Sequence, residues 1–160
     1  MPFTGTIANA AVTLHDPSST EMKTWQDALT ALSDPWTSYS PALTNITIGN
    51  GTIVGAYVQV GKLIHFRWTL TWGSTTAFTG SIAIGMPVTG ADAGWAGSAF
   101  LFDASVAANR QPGTLNGSTT ANNVHSAGIG GGGAGIVNAT SPFTWAVSDV
   151  IKGSGTYEAA

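Results

Sequence analysis

Side chains able to do chemistry are few in this sequence and far apart. Three histidines occur, His15, His65 and His125, in none of the spacings that bring two imidazoles to one metal ion. Cysteine is absent, which excludes disulfides and thiolate metal sites. Asp92, Asp103, Asp149 and Glu158 fall near expected turns or strand ends, where an aspartate ordinarily serves the turn itself. A glycosidase needs two carboxyl groups about 5 to 10 Å apart across a cleft, and nothing in the sequence pairs these four. Serine is plentiful, but no G-x-S-x-G elbow appears. The glycine-rich run Gly128 to Gly135 lacks the Gly-Lys-Ser/Thr ending of a phosphate loop and leads into no helix. No catalytic, metal-binding or cofactor-binding residue is therefore assigned, and the expectation is a protein that is not an enzyme and carries no cofactor.

Tryptophan is the ambiguous signal. Of six, Trp68 and Trp72 belong to an apolar strand face and Trp25 to a helix stripe. Trp36, Trp95 and Trp145 remain as possible glycan-facing aromatics, since sugar-binding surfaces use exposed aromatic rings.

Composition narrows the class. Charged residues make up 8% of the 160, against about 25% in ordinary soluble proteins. A lone monomer with so few surface charges is poorly protected against association. Burial against copies of itself or within a larger assembly resolves this; a surface of Thr and Ser hydroxyls is the alternative. The net charge is −3, and the five basic residues, Lys23, Lys62, Arg67, Arg110 and Lys152, are scattered along the chain. No basic stripe offers itself to phosphates, so nucleic-acid binding is not expected. The uncharged stretch from Trp68 to Ala91 is broken by Gly, Thr, Ser and Pro87, so no membrane insertion is expected. Met1-Pro2-Phe3-Thr4-Gly5 lacks the basic-then-apolar pattern of a signal peptide. Synthesis in a cytoplasm, combined with an extracellular-type composition, fits a virion protein released by lysis.

Three regions follow from the pattern. Residues 1–17 read as an extended anchor arm whose apolar handles are Phe3, Ile7, Val12 and Leu14. Residues 18–35 read as a short helix and its stop. Ser18 can cap the helix with Glu21 completing a capping box, and Asp34-Pro35 ends it. Met22, Trp25, Leu29 and Leu32 are spaced 3, 4, 3, an a/d seam. A helix this short is marginal alone, and a three-helix seam at the base of a homotrimer would bury the stripe. A trimer could also gather three copies of one histidine on its axis; His65 is the best placed for that.

Residues 36–160 read as a β-sandwich head. Thr52 to Val60 alternates, Gly61-Lys62 turns, and Leu63 to Trp72 alternates again. Ile64, Phe66, Trp68, Leu70 and Trp72 share a core face; Leu63, His65, Arg67, Thr69 and Thr71 share the other. Gly55 is expected to relieve crowding opposite the aromatics of the second strand, and Tyr57 to join them in the core. Further strands are expected at 79–86, 95–103, 122–129, 134–138, 143–147 and 150–157. Pro112-Gly113 and Asn116-Gly117 read as turns, and Gly130 to Gly133 as either a flexible tip or a close backbone approach at a trimer axis. Many short strands with one helix predict an all-β fold, an antiparallel, jelly-roll-like β-sandwich.

The most specific block is Gly55-x-Tyr57-x-x-x-Gly61-Lys62-x-x-x-Phe66, preceded by Trp36-Thr37-Ser38-Tyr39-Ser40-Pro41 and Gly49-Asn50-Gly51-Thr52 and followed at the end by Gly155-Thr156-Tyr157-Glu158. Over about residues 36 to 160 this resembles a module of tail-fibre, minor tail and head-decoration proteins of tailed phages, notably those of actinobacteria. The resemblance implies a trimeric β head on a slender anchor at the virion surface. The arm would dock on phage capsid or tail proteins, with capsid decoration favoured by the short length. The rival implication is a tail-associated protein adhering to host cell-wall glycans.

Overall fold

The computed structural model describes residues 19–33, 36–106, 109–127 and 135–160. Phe3, Ile7, Val12, Leu14, His15 and the run Gly130 to Gly133 lie outside the described residues. The chain divides into two units, Met1–Asp34 and Pro35–Ala160.

In the first unit, helix α1 spans Ser19–Ser33, in agreement with the capping and proline signals. It carries an i, i+4 ion pair in which the Lys23 Nζ lies 2.9 Å from Asp27 Oδ2. That pair is exposed and contributes little, about 0.3 to 0.5 kcal/mol.

The second unit is antiparallel β throughout: β1 (Thr37–Tyr39), β2 (Leu43–Thr47), β3 (Thr52–Val60), β4 (Leu63–Thr71), β5 (Ala77–Gly85), β6 (Ala96–Phe102), β7 (Arg110–Gly117), β8 (Ala121–Ser126), β9 (Gly135–Ile136) and β10 (Val150–Glu158). The expected all-β class holds. The sandwich fits only loosely, because the strands form one curled sheet, a half-barrel, rather than two packed layers. The order is β1-β3-β4-β10-β6-β7-β8-β5-β2, with β9 on β8. The last strand in sequence, β10, is thus inserted between β4 and β6.

The β3–β4 hairpin forms as read, with Gly61 at φ 59° as the first residue of its two-residue loop. Along β4, Ile64, Phe66, Trp68 and Leu70 are buried while Leu63, His65 and Arg67 are exposed. The concave side is filled by these residues with Ile151 and Tyr157 from β10, Leu101, Leu115 and Val124, and Ile82 and Ile84 from β5. Space there is tight. A Cβ at Gly153 would lie 2.3 Å from a ring carbon of Trp68, so glycine at the centre of β10 is what lets the indole lie across that strand.

Several expectations change. Residues 143–147 form no strand; Phe143 and Trp145 sit in an irregular segment folded onto the core. Residues 112–113 and 116–117 are not turns but part of β7. Gly55 is adjacent in register to Trp68, but a Cβ there would strike the Tyr39 ring at 2.5 Å, so its crowding comes from β1. Tyr57 does pack against the core, though it is half-buried, and meets Tyr39 edge-on at 6.0 Å.

Candidate binding face

The convex side of β3, β4, β10 and β6 is built from the residues that alternate away from the core. Register fixes which of them meet. Ser38 pairs with Ala56, Ala56 with Arg67, Arg67 with Ser154, and Ser154 with Ser98, one row across five strands. The neighbouring row runs Val54, Thr69, Lys152, Phe100. Arg67 and Lys152 are therefore diagonal neighbours on adjacent strands, a relation that places their Cα atoms about 7 to 8 Å apart.

Small residues between these longer ones leave a groove of 620 Å³. Ser38, Val54, Arg67, Ser98, Phe100 and Lys152 contribute to its lining. The surface continues past Phe100 and Lys152 to Phe102, Val150 and Arg110. Three of the five basic residues, scattered in sequence, thus gather on one face of the sheet.

Two aromatic rings orient the cations. The Arg67 guanidinium lies 4.4 Å from the centroid of the Trp36 ring, and Arg110 lies 5.0 Å from that of Phe102. Stacking of this kind is worth about 0.5 to 1 kcal/mol at exposed sites. Trp36 also meets the edge of His65 at 5.3 Å, and the His65 Nδ1 is 3.0 Å from the Thr156 hydroxyl.

Among the described residues no carboxylate lines this groove. Glu158 faces Lys62 at 3.9 Å, and Asp27 is held by Lys23. Asp103 and Asp149 are buried and organise loops. The Asp103 carboxylate accepts hydrogen bonds from the backbone N–H groups of Ser105 and Val106 at 2.9 and 3.1 Å, and from the Asn109 amide at 3.0 Å. Asp149 accepts from the N–H groups of Ala104 and Ala146 at 2.8 and 2.6 Å. The hydrogen bonds from the side chains of Ser105 and Asn109 hold the Asp103 carboxyl below the usual carboxylate range.

The sign of the resulting pH dependence follows. A depressed folded-state pKa contributes stability above the unfolded value, near 3.9 for Asp, and that contribution is lost as pH falls through the folded value. Melting temperature should therefore drop below about pH 4, and Asp103→Asn should flatten that part of the profile. An unchanged acid limb in Asp103→Asn would assign the effect elsewhere.

The other sequence-expected sites are placed as follows. On α1, Met22, Trp25 and Leu29 are 48%, 60% and 66% exposed, so the stripe is open; the side chain of Leu32 lies outside those described. Trp95 and Trp145 are half-buried and pack against the core. Trp95 stacks on Tyr157 at 5.4 Å, and Trp145 lies 4.5 Å from Phe143 and 5.2 Å from Trp72. Of the three tryptophans, Trp36 alone borders the groove, through Arg67. Among the described residues no three His, Asp or Glu gather as metal ligands. No protein-family model, characterised protein or solved structure matches this chain.

Proposed function

We propose that this chain is a non-enzymatic structural protein of a bacteriophage virion, a homotrimer whose β unit decorates the particle surface. The observation that carries the reading is the apolar stripe of α1. Three large side chains at a/d spacing stand 48% to 66% exposed on a 15-residue helix, an arrangement that pairing with copies of itself would bury. The 8% charge content supports the same conclusion, since a surface this poor in charge suits an assembly better than a free monomer. The resemblance of the Gly55-to-Phe66 block and the Gly155-to-Glu158 terminus to phage tail and head-decoration modules supplies the particle.

In this reading residues 1–17 dock the trimer on a capsid or tail protein through Phe3, Ile7, Val12 and Leu14. Deleting residues 1–17 is expected to leave the trimer mass and the melting temperature of the β unit nearly unchanged while abolishing incorporation into particles. Recovery of the truncated protein on purified particles would move the docking surface into the β unit.

A second reading, adhesion of a tail-associated trimer to host cell-wall glycans, is favoured by one feature, the groove beside Arg67, Lys152 and Phe100. A cryo-EM map of particles separates the two. Decoration places density on the capsid lattice, and adhesion places it at the tail.

A further inference from the structure

We infer that the convex groove of β3, β4, β10 and β6 binds an acidic glycan, with Arg67 and Lys152 as a paired clamp on a carboxylate or phosphate of the sugar chain. This inference rests on the adhesive reading and gives its ligand a charge and a place.

Four observations meet here. Arg67 and Lys152 are like charges on a diagonal of adjacent strands, and among the described residues no carboxylate lines the groove to offset their repulsion. An anion between them removes that repulsion. The Arg67 guanidinium lies over the Trp36 ring, its central carbon 4.4 Å from the centroid, a contact that restrains a side chain able to meet a carboxylate or phosphate in bidentate fashion. Ser38, Ser154 and Ser98 stand in the same cross-strand row as Arg67, a line of hydroxyls that can donate to or accept from sugar hydroxyls. Val54 and Phe100, 64% and 40% exposed, stand at opposite ends of the next row, and each offers an apolar patch for the C–H face of a sugar ring.

Size and charge favour a glycan over nucleic acid. The volume of 620 Å³ falls within the range of sites that enclose small ligands, about 300 to 1,000 Å³. Three cations on a chain of net charge −3 give no continuous track along a phosphodiester backbone.

The test uses the full-length protein and isothermal titration. The probes are a glucuronate–N-acetylglucosamine tetrasaccharide, its carboxyl-reduced neutral counterpart, and a short glycerol-phosphate oligomer. Binding is expected for the uronate or the phosphate probe, whichever anion the groove fits, and at least tenfold weaker binding for the neutral one. Lys152→Gln and Arg67→Gln should each weaken the acidic probe about tenfold or more, as loss of a charge-assisted hydrogen bond does. Melting curves identify a variant that is merely misfolded, and Lys152→Gln, which leaves the Arg67–Trp36 contact in place, serves as the safer of the two. Affinity should fall as salt rises from 50 to 500 mM. Equal binding of acidic and neutral tetrasaccharides, unaffected by Lys152→Gln, would overturn the clamp while leaving glycan adhesion standing. No binding of any probe at millimolar concentration would overturn the clamp and remove the support that the groove gives to adhesion.

Discussion

Phe66→Ala is expected to destabilise the β unit by about 3 to 5 kcal/mol. Phe66 is fully buried on β4, a strand paired on both sides by β3 and β10. Its ring meets Trp95 edge-on at 5.6 Å and Tyr157 at 5.8 Å. Those neighbours are themselves locked. The Tyr157 hydroxyl donates to the Val88 carbonyl at 2.7 Å, and Trp95 lies against Gly117, where a Cβ would clash with its indole. Neither ring can slide in to fill the space, so the cavity term adds to the lost transfer energy. Leu63→Ala, three residues earlier on the opposite face and 55% exposed, is the matched control and should change stability by about 0.5 kcal/mol or less. Urea unfolding of both variants measures the difference. A larger effect for Leu63→Ala than for Phe66→Ala would mean that the two faces of β4 are assigned the wrong way round.

The second large effect concerns the helix. If α1 forms the proposed three-helix seam, Leu29→Asp is expected to give monomers at micromolar concentration. Leu29 is the most exposed of the three described seam residues, at 66%, so an aspartate there costs the isolated chain little. In a three-helix seam the same change puts three carboxylates into one apolar layer, where desolvation and mutual repulsion oppose assembly. Helical circular dichroism should weaken together with the mass, because a helix of 15 residues is marginal without a partner. The melting temperature of the β unit should stay close to that of the parent. A variant that remains trimeric would transfer the contact from α1 to the β unit.

How far the sequence reveals this molecule depends on how local each signal is. Helix α1 was legible because its stop, Asp34-Pro35, and its stripe lie within one short stretch. The β3–β4 hairpin was legible because nine-residue alternation on each side of Gly61-Lys62 leaves one register that buries the aromatics. β7 was not, because Pro112-Gly113 and Asn116-Gly117 imitate turns. Its glycines answer to packing instead: a Cβ at Gly113 would meet the His125 carbonyl at 2.5 Å, and one at Gly117 would enter Trp95. Residues 143–147 misled in the opposite direction. Trp145 packs on Trp72 and Phe78, and Phe143 on Trp145, as an irregular cap without pairing a strand.

The candidate binding face was the least legible part. Arg67 and Lys152 are distant in sequence and become neighbours only because β10 enters the sheet between β4 and β6. No local pattern announces a long-range pairing of that kind. The one available hint was that Arg67 falls on the outward set of β4 and Lys152 on that of β10. Knowing that two outward sets coincide requires the strand order.

Three-fold self-association through α1 is the claim on which the trimeric reading of this chain depends. Multi-angle light scattering of the intact protein between about 1 and 100 μM tests it directly, across the concentrations where specific assemblies form. The prediction is one species at three times the 16.2 kDa chain mass, unchanged on dilution. A single species at 16.2 kDa throughout that range would contradict it.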